Sequence, residues 1–349
     1  REKDHSFKGK GGHVIGKDAG LVPEPFAGNL KRKPMRDGYG EGLLELGRSD
    51  PRVWVLSADV TGFTGIKRFA EEFPERFIEV GVAEQNMAGV AAGLALEGKI
   101  PFASSFACFS PGRNWDQIRI SVAYSEANVK IVGSHAGLAV GDSGAVYQAA
   151  EDIAMMRALP NMVVIAPCDA LEVKRATVAA AERVGPVYIR LAAGSAPVFT
   201  TEEMPFEIGK AVLLSEGQDV GIIACGNMVY QSLLAAEELF KEGISALVVD
   251  MHTIKPLDEE AVEKAAAECG CIVTAEEHQV FGGVGSAVAE FVGERHPVPL
   301  EIVGINDAFG ESGKAAELWQ KYGLTSASIA EAARRAIARK ERVGRRKAA

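Results

Sequence analysis

The sequence predicts an α/β protein of two successive domains, each built on a mainly parallel sheet. Short apolar runs alternate with amphipathic helical stretches along most of the chain, which is the pattern of strand–helix–strand units. The 349 residues exceed one ordinary domain, and a proline-bounded linker from Pro197 to Pro205 separates two such series. We therefore expect one domain over residues 34–196 and a smaller one over residues 206–336.

The elements of the two domains follow from runs of apolar residues and from helical periodicity. The expected strands of the first domain are Val53–Ser57, Pro101–Ser105, Val129–Gly133, Val163–Ala166 and Val187–Leu191. Its expected helices are Thr64–Phe73, Glu84–Glu97, Asn114–Ser125, Ala149–Arg157 and Leu171–Arg183. In the second domain we expect strands Asp219–Ala224, Ser245–Asp250 and Cys271–Glu276, with helices Met228–Glu242, Glu259–Glu268 and Gly285–Val292.

Both ends of the chain differ from this pattern. Residues 1–33 are rich in Gly, Lys and Pro without an apolar period, which predicts a flexible N-terminal extension, either a mobile arm or a cloning remnant. The stretch from Arg334 to Lys347 carries eight basic residues and one acid, Glu341. We expect residues 337–349 to be a basic tail at the solvated end of a helix; the alternative is a docking strip for an acidic partner.

Composition excludes several classes of protein. The net charge of -9 gives no general attraction to nucleic acid. No apolar run approaches the roughly 20 residues of a membrane span, and no signal-peptide pattern is present. The five cysteines lie scattered in apolar segments, and Cys269 and Cys271 lack the spacing of a zinc knuckle. We expect reduced thiols in a cytoplasmic protein that binds neither nucleic acid nor membrane.

The most informative segment is the helix that starts at Glu84. Small residues recur along it, and a face that small lets another backbone approach closely. On the residues alone, a glutamate in a first turn is ordinary helix-dipole chemistry. However, Gly81-Val-Ala-Glu84-Gln-Asn-Met, followed by Gly89-Val-Ala-Ala-Gly93, resembles the helix of transketolase-like enzymes that carries the cofactor-activating glutamate. The resemblance implies that Glu84 is catalytic and hydrogen-bonds the pyrimidine N1′ of thiamine diphosphate.

Further segments resemble the same family in the same order. Asp59 follows the first strand, as does the aspartate at the family's cofactor cleft. Phe106 and Phe109 resemble the aromatic platform under the pyrimidine, although two phenylalanines three residues apart are equally usual in a core. His135 begins a glycine-rich loop and resembles the substrate histidine, with an implied role in proton transfer to the donor carbonyl oxygen.

The resemblance extends from Arg36 to about Ala336. It implies a parallel-sheet pyrimidine-binding thiamine-diphosphate domain followed by a smaller α/β transketolase C-terminal domain. The family's Gly-Asp-Gly motif for diphosphate and metal is missing, and Gly141-Asp142-Ser143, the nearest string, belongs to the substrate loop. The implied enzyme is therefore a split transketolase, whose N-terminal subunit holds the diphosphate and Mg²⁺, in a two-plus-two heterotetramer. This chain would supply no metal ligand.

The residues around the implied substrate depart from the family pattern. Of its phosphate-binding residues, one arginine matches Arg36, whereas Phe63 stands at the serine position and Ala193 at the second arginine. Losing an arginine removes a bidentate anion contact. These departures predict an atypical donor or acceptor, either a small-molecule or a carrier-bound ketose or aldose.

In the loop that contains Asp142, Ser143 replaces an aspartate that reads substrate hydroxyls, and Tyr147 replaces a histidine. The third ring of the aromatic platform is replaced by glycine, and Arg113 stands next to it as a candidate substrate contact. The alternative is that the substrate is an ordinary sugar phosphate, and that Arg113 or the partner subunit supplies the missing phosphate contacts.

Three other functions remain open at this point. The β subunit of a 2-oxo-acid dehydrogenase shares the glutamate helix, and half of a 1-deoxyxylulose-phosphate synthase shares a similar helix start. The third is a regulatory subunit that has kept the fold without catalysis. Glu84, Asp59, Phe106, Phe109 and His135 together favour an active site.

Overall fold

The computed structural model describes residues 7–8, 14–15 and 19–348, without the side chains of residues 7–8, 14–15, 343 and 345–348. The strands are β1 Phe7–Lys8, β2 Val14–Ile15, β3 Arg32–Pro34, β4 Val53–Ser57, β5 Phe77–Glu79, β6 Ile100–Phe106, β7 Lys130–Ala136, β8 Val163–Ile165, β9 Val187–Ala192, β10 Ser195–Pro197, β11 Val212–Ser215, β12 Val220–Ala224, β13 Ala246–Asp250, β14 Thr253–Lys255, β15 Ile272–Gln279 and β16 Leu300–Ile305. The helices are α1 Met35–Ser49, α2 Lys67–Glu72, α3 Glu84–Leu96, α4 Trp115–Gln117, α5 Asp152–Arg157, α6 Ala170–Glu182, α7 Met228–Lys241, α8 Glu259–Cys269, α9 Val284–Glu294, α10 Ala315–Lys321 and α11 Ser326–Ala348. Short 3₁₀ segments cover Pro74–Arg76 and Leu138–Ser143, and a π-helical segment covers Ile118–Tyr124.

The first domain contains a seven-stranded sheet in the order β14-β8-β9-β7-β6-β4-β5. All of its neighbouring pairs are parallel except β14 with β8. Because parallel strands point the same way, the carboxyl ends of β4, β6 and β7 lie side by side at one edge. That edge positions the candidate site.

The second sheet has the order β1-β2-β11-β13-β12-β15-β16. Its centre, from β13 to β16, is parallel, whereas β11, β2 and β1 add to one side as antiparallel strands. Helices flank both sheets, and separate clusters of buried apolar side chains fill the spaces between the sheets and the helices. The predicted α/β class is confirmed.

Helix α1 is missing from the sequence-based assignment although it carries Arg36. It contains four glycines, which lower helix propensity and hide its apolar period. The structure shows their purpose, because a Cβ added at Gly38 would collide with the Ala170 carbonyl. One added at Gly42 would lie 2.9 Å from the Thr177 Cβ. The glycines thus allow α1 to pack closely against α6, and tertiary packing outweighs propensity.

The expectation of an unstructured arm is wrong for residues 19–33. Ala19 is buried, the Val22 amide donates to the Phe199 carbonyl, and the Gly20 carbonyl accepts from the Thr201 amide. These contacts with the chain around residue 200 order the backbone because they satisfy its polar groups and cover apolar surface. Of residues 1–18, the structure describes β1 and β2, which extend the second sheet; the rest lie outside the described residues.

The stretch from Pro197 to Pro205 is more than a linker. Its first residue ends β10, which pairs with β3, and Phe199 is fully buried. Asp169 fixes this segment by accepting hydrogen bonds from the Phe199 and Thr200 amides. Strand β14, which follows β13 within the second series, also pairs with β8 of the first sheet. The two domains are therefore joined by shared sheet pairing as well as by side chains.

The basic stretch near the C-terminus continues α11 as one helix to residue 348. Arg334 pairs with Glu238 and Glu242, and Arg339 pairs with Glu301. These bases neutralise the chain's own acids, which leaves less charge for docking. Among the described residues, no helix is both long and apolar enough to cross a membrane.

Candidate functional site

The predicted site residues meet at the carboxyl edge of the first sheet. Asp59 follows β4, Phe106 ends β6 and His135 lies near the end of β7. The register places Phe106 opposite Ser134, the residue before His135. Asp59 and His135 also have positive φ angles, of 60° and 56°. Left-handed backbone is uncommon outside glycine, and where it occurs it often marks a functional position.

Glu84 is the first residue of α3 and is only 1% exposed. Its Oε2 accepts a 2.8 Å hydrogen bond from Arg113 Nη1 in an ion pair. The Asn114 side chain ties the same region together by donating to the Glu84 carbonyl and to Ser110 Oγ, both at 3.1 Å. The carboxylate is thus desolvated, placed at a helix N-terminus and joined to a single described counter-charge.

An aromatic cluster surrounds Phe106. The Phe106 and Phe109 rings stack with centroids 6.1 Å apart and planes 26° apart. Tyr147 meets both rings edge-on at 6.2 and 5.7 Å, and Phe63 meets Phe106 edge-on at 6.2 Å. The His135 ring lies 4.5 Å from Phe106. Phe63 and Tyr147, the two aromatic residues that depart from the family pattern, therefore form walls of this cluster.

His135 is held beside Arg36 at a small cavity. Its Nδ1 lies 2.7 Å from Ser134 Oγ, and burial together with the Arg36 charge lowers the pKa of His135 from 6.5 to about 4. The imidazole is therefore neutral near pH 7. Arg36, Ser134, His135 and Ala193 line a cavity of about 110 Å³. The structure thus brings together Arg36, Phe63 (whose carbonyl accepts from Arg36 at 3.2 Å), His135 and Ala193.

Asp59 is exposed, and its conformation is set by Glu79. The Glu79 carboxylate accepts hydrogen bonds from the Asp59 and Gly81 amides, at 2.8 and 2.9 Å, and from Thr61 Oγ1 at 3.0 Å. These donors lower the pKa of Glu79 against the opposing effect of burial. Glu79 therefore shapes the turn that presents Asp59 and the turn that leads to Glu84. A lone glutamate at the end of a short strand gave no sequence signal for this role.

The loop after His135 is anchored by the second domain. Glu277 Oε1 accepts the Ala139 amide at 2.7 Å and Trp319 Nε1 at 2.9 Å, and its Oε2 accepts Asn227 Nδ2 at 3.1 Å. Burial raises the pKa of the Glu277 carboxyl. Sequence analysis missed this residue, although charged residues inside the otherwise apolar strand β15 are a visible signal.

Gln148 Nε2 also holds the loop by donating to the Gly141 and Glu311 carbonyls. Asp142 and Ser143 lie on the exposed side of this loop. Within the described part of the chain, neither of them has a hydrogen bond or ring contact that joins it to the aromatic cluster.

A buried group of possible metal ligands lies away from the aromatic cluster, at the junction of the domains. Cys168, Glu172 and Asp250 place one ligand atom each within 4.8 Å of one another, and this is the one such group in residues 7–8, 14–15 and 19–348. Burial raises the pKa of Asp250 and of the Cys168 thiol, which favours their neutral forms. All five cysteines lie in the described chain and are free thiols.

The chain combines a two-domain α/β fold with a buried first-turn glutamate, Glu84, whose partner Arg113 also lies over the ring of Phe109. Two family models match it in succession, namely the transketolase pyrimidine binding domain over residues 31–197 and the transketolase C-terminal domain over residues 209–329. The chain belongs to the transketolase family, and the resemblance found in the sequence is confirmed.

Some similar proteins match this chain over nearly their whole length. A 6-deoxy-6-sulfo-D-fructose transketolase subunit of Clostridium sp. (strain MSTE9) is 47% identical over 317 residues, which cover 91% of this chain and 98% of the relative. An apulose-4-phosphate transketolase subunit of Phocaeicola vulgatus is 40% identical over 299 residues, which cover 85% and 96%. A solved structure of a split-gene transketolase, an inactive β4 tetramer, is 48% identical with a TM-score of 0.83. That match covers 88% of this chain and 99% of the solved one.

Proposed function

We propose that this chain is the pyrimidine-binding subunit of a two-chain transketolase that transfers a two-carbon ketol unit with thiamine diphosphate. The enzyme is a cytoplasmic heterotetramer of two plus two, completed by an N-terminal subunit with the diphosphate-binding domain. The observation that carries the proposal is the desolvated Glu84 carboxylate, joined through Arg113 to the stacked rings of Phe109 and Phe106.

The residues of this site fit the pyrimidine end of the cofactor. Phe106 and Phe109 are partly exposed and offer flat apolar faces on which a heteroaromatic ring can stack. Glu84 offers an anionic acceptor with little competing water, where a charge-assisted hydrogen bond to a ring nitrogen is strong. When bound, the cofactor supplies the electron sink that allows a carbon–carbon bond beside a carbonyl to break.

The chain's own residues then bind the pyrimidine and control protons on the substrate. Glu84 holds the pyrimidine N1′, and Asp59 lies at the cofactor cleft. His135 is neutral at working pH, with Nδ1 engaged by Ser134 Oγ, so Nε2 is the nitrogen that meets the donor carbonyl oxygen.

The diphosphate and its Mg²⁺ require another subunit. The buried Cys168, Glu172 and Asp250 group, the one cluster of three possible ligands in the described parts of the chain, is enclosed and cannot reach a diphosphate at the surface. A magnesium diphosphate needs accessible oxygen ligands. We therefore assign the metal to the partner, in keeping with the absence of the Gly-Asp-Gly motif from the sequence.

The outer face of α3 is exposed and can contact that partner subunit. Gly89 and Gly93 are exposed, and a Cβ added at either would have no neighbour within 4 Å among the described atoms. Leu96 on the same helix is 77% exposed, and Tyr124 of the π-helical segment that packs beside α3 is 84% exposed. An exposed small-residue, apolar face on the helix that begins with Glu84 supports close packing of a second chain there.

The substrate surroundings support an atypical donor or acceptor. Ala193, Gly194 and Ser195 line both the 110 Å³ cavity beside His135 and a neighbouring cavity of about 270 Å³. Arg36 is the charged residue that lines the smaller cavity, and Phe63 and Tyr147 add apolar bulk nearby. This arrangement favours a substrate end-group that is longer, or less strongly anionic, than an ordinary sugar phosphate.

Reconstitution tests the proposal. The chain is co-expressed with an N-terminal transketolase subunit, purified as a complex and given thiamine diphosphate, Mg²⁺ and a panel of ketose donors. Glu84→Ala should abolish turnover, whereas Glu97→Ala, at the exposed C-terminal end of the same helix, should leave it intact. Turnover above a few per cent in Glu84→Ala would refute catalysis at this site. Decarboxylation of pyruvate by the complex would point instead to a 2-oxo-acid dehydrogenase, and condensation of pyruvate with glyceraldehyde 3-phosphate to a synthase.

The substrate and the interface have separate tests. A kcat/KM near 10⁴ M⁻¹s⁻¹, roughly an ordinary enzyme value, on xylulose 5-phosphate with ribose 5-phosphate would exclude the atypical substrate. Ala193→Arg should shift the preference towards phosphorylated acceptors. Gly93→Leu should prevent assembly with the partner, whereas Gly293→Leu, at an equally open exposed helix position of α9, should not. Normal assembly of the Gly93 variant would rule out α3 as the partner face.

A further inference from the structure

Arg113 makes two contacts with the residues to which the cofactor is assigned. Its Nη1 donates to Glu84 Oε2 at 2.8 Å, and its Cζ lies 4.7 Å from the centroid of the Phe109 ring. The guanidinium is planar, cationic and weakly hydrated, so it stacks on an aromatic face while it donates hydrogen bonds in its own plane. Its place is therefore defined by one aromatic ring and one carboxylate.

Under the proposed function, the aminopyrimidine of the cofactor makes the same two kinds of contact as Arg113. That ring is also flat, stacks on the phenylalanine pair and shares a hydrogen bond with Glu84. A carboxylate that is 1% exposed cannot remain charged without a donor or a counter-charge. Before the cofactor arrives, Arg113 meets this requirement.

Arg113 can leave without disturbing the backbone. Its side chain is 47% exposed, so solvent is open to it on one side. The next residue, Asn114, is buried and anchors the chain to the Glu84 carbonyl and to Ser110. Rotation of the Arg113 side chain alone therefore uncovers Glu84 and the Phe109 face.

The geometry points to Arg113 as an internal stand-in for the pyrimidine, which keeps the Glu84 carboxylate paired and oriented and is displaced when thiamine diphosphate binds. This inference rests on the proposed function of Glu84. It changes the role expected for Arg113 from substrate contact to positioning residue of the catalytic carboxylate. It also implies that part of the cofactor's binding free energy is spent on breaking the ion pair between Arg113 and Glu84.

Arg113→Ala tests the stand-in through stability and affinity. In the isolated chain without cofactor, the variant should melt at a lower temperature because Glu84 loses its described counter-charge. In the assembled complex, its dissociation constant for thiamine diphosphate should fall at least 5-fold because the competitor is gone. The melting temperature and the dissociation constant of Arg113→Lys should lie between those of the native protein and of Arg113→Ala, since an ammonium keeps the charge but cannot stack flat. Arg68→Ala, at an exposed arginine of α2, should change neither quantity.

The outcomes separate this inference from the proposed function. A dissociation constant that is unchanged or higher in Arg113→Ala overturns the stand-in, as does an unchanged melting temperature of the isolated chain. The proposed function survives the failure of the Arg113 inference if the native complex binds the cofactor and if Glu84→Ala abolishes turnover. A native complex that binds no thiamine diphosphate overturns both.

Discussion

Exchanging Arg36 for glutamine should raise the pKa of His135 in the isolated chain. In the native chain burial, as the larger cause, and the Arg36 guanidinium, as the smaller, lower the pKa of His135 from 6.5 to about 4. Both raise the cost of an imidazolium, which loses hydration and meets a like charge. Glutamine removes the second cause and leaves the first. The pKa should therefore rise by less than half of the native displacement and stay below 6.5.

The native displacement corresponds to about 3 kcal/mol against protonating His135 in the folded chain. Between pH 4 and pH 6.5 the unfolded chain binds this proton and the folded chain does not. The contribution of His135 to the free energy of unfolding is therefore fully present above pH 6.5 and is lost as the pH falls towards 4. Arg36→Gln should reduce that loss.

Ring-labelled histidine NMR measures the effect directly. The chain has six histidines, and His135→Gln identifies the resonance to follow. Arg68→Gln on α2 serves as the matched control and should leave the titration of His135 unchanged. A native His135 that titrates near 6.5, or an Arg36→Gln variant with a still lower pKa, would refute the physical account of this site.

Three further changes should alter stability, each measured by urea unfolding of the isolated chain. Arg190→Met should cost about 3–5 kcal/mol, because it leaves the Asp152 carboxylate of a buried 2.9 Å ion pair without its cation. Asp169→Ala should cost about 3 kcal/mol, because this side chain caps α6 and also binds two amides and a hydroxyl of the segment after β10. Gly137→Ala should destabilise the substrate loop and lower turnover of the complex, because φ is 81° and the new Cβ would lie 2.5 Å from Glu277 Cδ.

Matched variants show whether these causes are correct. Adding Asp152→Leu to Arg190→Met should restore part of the lost stability by removing the stranded charge. Gly194→Ala has a similar φ of 73° but its nearest neighbour lies at 3.9 Å, so it should cost less than Gly137→Ala. Equal losses in the two glycine variants would contradict a steric role for Glu277.

The central elements of both sheets were predictable because their signals are local. Strand β4 has the predicted bounds of Val53–Ser57, and α3 begins at Glu84 as expected. Buried parallel strands read as short apolar runs, and helices between them show a 3.6-residue period. Edge strands such as β5 and β14 carry neither signal strongly, and α1 is rich in glycine, so these elements were missed.

The candidate site divides in the same way. Glu84, Phe106, Phe109 and His135 could be predicted as site residues because each belongs to a short contiguous motif. Glu277 was missed because its role depends on the packing of the second domain against the substrate loop. Such a contact joins residues 138 positions apart, and no local pattern records it.

Residue order was enough to establish the family, the α/β class and the chemical types present in the site, because these depend on motifs and periods within short windows. The meeting of Phe63, Tyr147 and His135 around Phe106, and the seating of Arg113 between Glu84 and Phe109, became visible with the folded chain. These contacts depend on which strands lie side by side and on where each loop returns. Long-range packing sets both, and sequence separation conceals it.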